Sequence, residues 1–321
     1  MFALGGHRPH TPEEQRTLVG EEVAASGVRL LDHDRDDCVP VGTTSRGTPF
    51  AVFRRYLEAD LRVCTGNIDY HHFAGFSGGA KAVLPGISSA DAMRINHGMM
   101  LADAARAGVL DGNPVGEDVD EAGGMAGIDF LFNVVLDERR RVIRAVAGDH
   151  RAAHRAGVAV YDACCDRRVD VPVDIVVASP GGAPKDVNLY QALKALENVV
   201  GALRDGGVLV LVARCGEGLG NAIFERWMAE MEEPDDLVRR IRHEFVLGGH
   251  KAAAIAAHLK RVELFVVSAM PAHVVRGMHM TPFATLDGAV AAALARCGGG
   301  SRVLVVPNGE RVTAGSAGRG G

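Results

Sequence analysis

Three stretches of this chain share one design: an apolar run, a glycine turn, then new chain that reads as helix or loop. "DIVVASPGGAPKD" (174–186), followed by the helical pattern "NLYQALKALENVVGAL", is the clearest. "EADLRVCTG" (58–66) reads as a helix end and then a buried strand that feeds into "NIDYHHFAGFSGGAK". "GGVLVLVARCGEGLG" (206–220) repeats the design, and "RVELFVVSAM" and "SRVLVVPNG" read as further strands. Short apolar runs bounded by glycine suit strands buried on both faces. Strands that alternate with helices imply a largely parallel sheet with helices on both faces. The fold class expected is therefore α/β. The helical, charge-mixed stretch 149–170 is the best boundary between two α/β domains, with an active-site cleft expected between them. The domains run over residues 1–165, an N-terminal cofactor-binding domain, and 166–312, a C-terminal α/β domain. The tail at 313–321 is expected to be disordered.

The N-terminus carries its own signals. "MFAL" reads as a strand and "GGHR" as a loop. Thr11, Pro12 and Glu14 supply an N-cap, a proline at the first helical position and a capping box. His7 and Arg8 thus fall between a strand end and a helix start, where open α/β sheets bind ligands.

Composition excludes several classes. The formal charge of −5 gives no electrostatic case for nucleic acid or an anionic membrane. No apolar run is long enough for a membrane span, and "MFALGGHRPH" lacks the pattern of a signal peptide. The six cysteines form no C-x-x-C pair, which argues against a zinc ribbon or a disulfide framework and for reduced thiols in a cytoplasmic protein. "DHDRDD" (32–37) lacks the glycine and glutamate of a calcium loop and reads as a solvated acidic loop.

The chemistry-bearing residues cluster in "DYHHFAGFSGGAKAVLPG" (69–86) and "INHGMM" (95–100). A histidine standing alone is more often a surface or core residue than a ligand. Here His71, His72, Lys81 and His97 gather near one glycine-rich turn. The turn can bring backbone N–H groups to a phosphate, although it is not a P-loop and also reads as an ordinary strand–helix turn. A buried lysine beyond it can lose its proton and become a nucleophile or a covalent anchor. In "YQALK" (190–194), Gln191 and Lys194 share one helix face at i and i+3, or belong to an ordinary amphipathic helix. Cys64 and Trp227 read as packing residues. A zinc hydrolase using His7, His71 and His97 is a rival reading of the same residues.

Taken together, "GGHRPHTPEE", "LDHDRDD", "GTTSRGTP", "EADLRVCTG", "HHFAGFSGGAKAVLPG", "NH" and "SPGGAPKDVNLYQALKAL" closely resemble the nickel-dependent lactate racemase family, from residue 5 to about residue 310. The resemblance implies a racemase or epimerase of a 2-hydroxy acid, an isomerase, with lactate as the default substrate. It implies the nickel-pincer nucleotide as cofactor: a Ni(II) pyridinium-3-thioamide-5-thiocarboxylate mononucleotide installed by maturation proteins. It makes Lys81 the covalent anchor beside Gly78 and Gly79, and His97 the nickel ligand. His7 and His71 become the acid–base pair, and Gln191 and Lys194, with Tyr190, the substrate contacts. The implied reaction is hydride transfer to the cofactor through a 2-keto acid, with one base for each enantiomer. Family members also carry roughly a hundred residues before the "HR" motif, including a "DD-x-T-R-P" segment whose arginine holds the carboxylate. Nothing here matches that segment. The expectation is a first domain lacking its N-terminal portion, with a non-catalytic or split-subunit remnant as the alternative to a racemase.

Overall fold

A computed structural model describes residues 1–137, 139–165, 172–243, 245–246 and 248–309. The chain divides into two compact units, Met1–Cys164 and Cys165–Gly321. The tail at 313–321 lies outside the described residues.

In the first unit the helices are α1 (Pro12–Val19), α2 (Glu21–Ala25), α3 (Arg54–Leu57), α4 (Ala90–Gly98), α5 (Pro114–Ala126) and α6 (His150–Cys165). The strands are β1 (Cys38–Thr43), β2 (Pro49–Phe53), β3 (Val63–Ile68), β4 (Tyr70–His71), β5 (Gly75–Phe76), β6 (Phe130–Leu136) and β7 (Val142–Gly148). The capping box of α1 forms as read. The Thr11 hydroxyl accepts the Glu14 N–H at 3.2 Å, and the Thr11 N–H donates to the Glu14 carboxylate at 2.7 Å. β3 and β6 pair in parallel, and β7 adds an antiparallel edge. β1 and β2 form a separate hairpin.

Two expectations fail in this unit. "MFAL" is not a strand, because Phe2 makes only an isolated bridge to Asp32 before the chain turns at Gly5 (φ +53°). The strand through "RVCTG" is buried on one face only. Cys64 and Ile68 point into the core, while Val63, Phe130 and Phe132 on the opposite face stay 48%, 42% and 43% exposed. The core lies on the Cys64 face, where Leu131, Val119, Ala122, Ala126 and Ala153 meet Phe50, Val52 and Phe53 of β2.

The second unit contains β8 (Val173–Ala178), β9 (Leu203–Val212), β10 (Glu263–Val267), β11 (Thr281–Phe283) and β12 (Val303–Val306). Its helices are α7 (Leu189–Val199), α8 (Ala222–Ala229), α9 (Pro234–His243), α10 (Gly249–Leu259), α11 (Ala272–Gly277) and α12 (Leu286–Cys297). The five strands form one sheet in the order β11-β10-β9-β8-β12, and every pairing is parallel. Both faces are covered, as the apolar runs required. Leu209 and Leu211 of β9 face the cluster built on α7, α8 and α10, and Val208 and Val210 face Ala289 and Ala293 of α12. Trp227 packs in the first of these clusters at 1% exposure. No helix among the described residues is long and apolar enough to cross a membrane.

Candidate functional site

The histidine-rich segment folds into a very short hairpin, with Tyr70 opposite Phe76 and His71 opposite Gly75. Gly75 sits at φ +83°, and a Cβ there would lie 2.1 Å from the carbonyl oxygen of Val109. Only glycine satisfies both constraints. The turn of this hairpin projects Phe73 inward, and Phe73 becomes a hub. Its ring centroid lies 4.6 Å from His71, 4.6 Å from His72 and 4.9 Å from His97, each approached edge to face. His71 and His72 stack on each other at 4.7 Å. The Phe73 carbonyl is held by the side-chain amide of Asn113 at 3.0 Å, and the same Asn113 caps α5.

His97 reaches this ring from the last turn of α4 and is half-buried. His71 Nδ1 accepts the Ala74 N–H at 3.2 Å, so the neutral ring carries its proton on Nε2. For Nε2 to take up a proton, Nδ1 must carry the hydrogen and this long hydrogen bond must be released.

Lys81 lies on a 3-10 turn, Gly79–Ala82, directly after the glycine pair. Gly78 (φ +78°) and Gly79 (φ +57°) leave no room for side chains. A Cβ on Gly78 would meet Asn133 Oδ1 at 2.7 Å, and one on Gly79 would meet the His154 ring at 2.8 Å. Asn133 also accepts the Gly79 N–H at 2.8 Å, and His154 Nε2 donates to the Ser77 carbonyl at 2.9 Å. The turn is thereby clamped from β6 and α6. Lys81 is half-buried, and desolvation lowers its pKa to about 8. At pH 7 about 10% of such an amine is neutral, against roughly 0.03% of an ordinary lysine. That population fits a lysine that attacks or anchors a ligand covalently.

His7 sits on an exposed turn. The turn is tied to the Lys81 segment, because the Gly5 N–H donates to Gly86 O at 2.9 Å and the Gly86 N–H donates to Lys81 O at 3.1 Å. Thus His71 and His97 share one ring, while the loop of His7 is joined to the turn of Lys81. Gln191, Lys194 and Tyr190 belong to the second unit. Asn188 caps α7 and accepts the Gln191 N–H at 3.0 Å, leaving Gln191 and Lys194 half-buried in the first turns. Tyr190 packs inward, 5.8 Å from Phe224, and burial and then the Glu197 charge push its phenol up to about 12. Its ring and its carbonyl both contact Lys251.

Among the described residues, no group of three or more His, Cys, Asp or Glu side chains is placed to hold a metal ion. The zinc-hydrolase reading therefore lacks its ligand set. A metal at His97 fits only if most of its ligands arrive with it, as in a cofactor that carries its own donors. Phe73, Asn113, Asn133, His154 and Lys251 were not legible as site residues. The available signals were a lone asparagine in the apolar run "FLFNVVL", histidines four apart in "HRAAHRAG", and a lysine in the alanine-rich "GHKAAAIAAHL".

Comparison with known proteins gives a consistent set. The lactate racemase N-terminal domain family matches residues 1–108, and the lactate racemase C-terminal domain family matches residues 169–314. A lactate racemase of Thermoanaerobacterium thermosaccharolyticum is 32% identical over 97% of this chain and 75% of its own length. One of Lactiplantibacillus plantarum is 33% identical over 96% of this chain and 75% of its own length. The lactate racemase apoprotein structure from T. thermosaccharolyticum matches with a TM-score of 0.92 at 33% identity, covering 97% of this chain and 77% of that one. A Thermotoga maritima protein, 18% identical with a TM-score of 0.72 over 97% of this chain and 84% of that one, shares the fold. Where a first domain lacking its N-terminal portion is expected, the N-terminal domain family matches from residue 1, so that domain is present in the chain.

Proposed function

Because this chain belongs to the lactate racemase family, we propose that it is an isomerase interconverting the enantiomers of a small 2-hydroxy acid, lactate in the first instance. The observation that carries the reading is the gathering of His71 and His97 on Phe73, in the same unit as a desolvated Lys81. These residues suit the nickel-pincer nucleotide. Lys81 would hold it covalently, Gly78 and Gly79 would let the backbone approach it, and His97 would complete the nickel coordination through a neutral imidazole nitrogen. When bound, that group supplies an electrophilic centre that takes up hydride from the substrate Cα.

The chain's own work is proton handling and orientation. The hydroxyl proton of one enantiomer passes to a histidine as the Cα–H bond breaks, leaving a planar 2-keto acid. The other enantiomer presents its hydroxyl to the opposite base, so His71 and His7 divide the two directions. On the second unit, the proposal gives Lys194 the carboxylate and Gln191 the hydroxyl, with Tyr190 buttressing their helix. The reading also carries cofactor-maturation proteins as partners and a cytoplasmic setting, in keeping with cysteines that form no paired motif.

The test is to co-express the chain with the maturation proteins and follow D-lactate formed from L-lactate by chiral chromatography. The wild type is expected to racemise in both directions. His71→Ala and His7→Ala should each slow it ~10²–10⁴-fold, and each should retain single-turnover oxidation of a different enantiomer. A fully loaded wild type that forms no D-lactate ends the proposal. Equal oxidation of both enantiomers by both variants ends the division of labour and turns suspicion to His72.

A further inference from the structure

"GTTSRGTP" (42–49) has no part in the chemistry above. In the structure it closes the β1–β2 hairpin over α5. The hydroxyls of Thr44 and Thr48 both donate to the carboxylate of Asp118, Thr48 to Oδ2 at 2.8 Å. Asp118 is fully buried. Its third donor is the side-chain amide of Asn96, 2.8 Å from the same Oδ2 and 3.2 Å from the Val115 carbonyl. At the rim, the Ser45 N–H donates to Glu121 at 2.7 Å and Arg46 pairs with Glu117, so the turn grips α5 on either side of Asp118.

Asn96 is also fully buried, and it directly precedes His97 on α4. The other residues α4 buries are Ala92 and Met93. Neither has the shape to fix a helix's rotation, because alanine is small and methionine adapts to whatever gap it meets. A hydrogen bond from an amide to an ionised carboxylate is directional and charge-assisted. A turn of α4 about its axis would break it and swing His97 away from Phe73.

We infer that Asp118 is a positioning residue for His97: held by Thr44 and Thr48, it fixes the rotation of α4 through Asn96 and so aims the His97 imidazole. The inference rests on the proposal that His97 ligates nickel. An ionised carboxylate only accepts hydrogen bonds, so the network has a polarity that can be broken and then rebuilt in reverse. Asn96→Asp sets two carboxylates face to face in the core. Adding Asp118→Asn restores a donor–acceptor pair with donor and acceptor exchanged.

The experiment loads wild type, Asn96→Asp, Asp118→Asn, the double variant and His97→Ala with cofactor. Each is then challenged with a chelator while nickel per chain and intact mass are measured. Both single variants should lose nickel about 10–100-fold faster than wild type, the range expected when support behind a metal ligand is removed. They should keep the cofactor mass on Lys81, which general unfolding would not spare. The double variant should regain most of the lost retention, short of wild type because the Val115 carbonyl is left without its donor. If His97→Ala sheds nickel while both single variants retain it, the inference falls and the His97 assignment stands. If His97→Ala retains nickel, both fall together. Should Asn96→Asp fail to fold, Asn96→Ala removes the donor without adding a charge, and the same two outcomes apply.

Discussion

The two units each desolvate a lysine, and they treat it in opposite ways. Lys251, on α10, is 2% exposed, yet its ammonium is surrounded by compensation. Glu197 Oε2 lies 3.7 Å away, the Tyr190 carbonyl accepts from Nζ at 2.9 Å, and the Tyr190 ring lies 4.7 Å from Nζ. Lys81, on the glycine turn, is shifted by desolvation alone, which lowers its pKa to about 8. A buried cation with a carboxylate, an acceptor and an aromatic face ties its helix to theirs. A desolvated cation without such compensation gives up its proton more readily and becomes reactive. Burial is common to both, and the neighbours decide whether the lysine is structural or chemical.

The sharpest way to break this contrast is covalent. Lys81→Ala should abolish the cofactor mass on the intact protein entirely, while Lys251→Met should leave attachment in place. A cofactor-sized shift surviving in Lys81→Ala would move the anchor elsewhere. The next effect is on stability. Lys251→Met leaves the Glu197 carboxylate buried without its cation and should cost about 3–5 kcal/mol in urea unfolding of the apoprotein. Adding Glu197→Gln should recover part of that loss, whereas Lys81→Met should be neutral or mildly stabilising.

The smallest effect is a pH dependence. The folded-state pKa of Lys81, about 8, lies below the ordinary lysine value of 10.5. Between the two the unfolded chain binds more protons, so stability rises with pH across that window. The penalty is complete below about pH 8 and is gone above pH 10.5. Lys81→Met should remove this increment from the pH profile of apoprotein unfolding. An amine-reactive probe should label Lys81 with a half-rise near pH 8. A half-rise at the ordinary lysine value would show that Lys81 is not desolvated in solution.

Legibility followed the range of the interactions. The parallel sheet of the second unit was readable because runs such as "DIVVAS" and "VLVLV" are buried on both faces and need no partner to be recognised. The capping box of α1 was readable because Thr11 and Glu14 are three residues apart. The β1–β2 and β6–β7 hairpins went unread, since β1 and β7 bury no residue fully and so carry no alternating apolar pattern. The strand through Cys64 was misjudged for a related reason. An apolar residue such as Val63 or Phe132 states a preference for burial, and only the placement of helices decides which face receives it.

By itself, then, the amino-acid order determined the α/β alternation, the glycine turns, and the candidates His7, His71, Lys81, His97, Gln191 and Lys194, all carried by motifs a few residues long. Tertiary structure decided what surrounds them. The Phe73 ring joins residues 71, 72 and 97; Asn133 clamps a turn 54 positions earlier in the chain; Thr44 reaches Asp118 across 74 residues. Such contacts depend on where the folded chain brings distant polar groups out of water together. A lone asparagine or aspartate in an apolar stretch shows that a partner is needed, and only the fold names it.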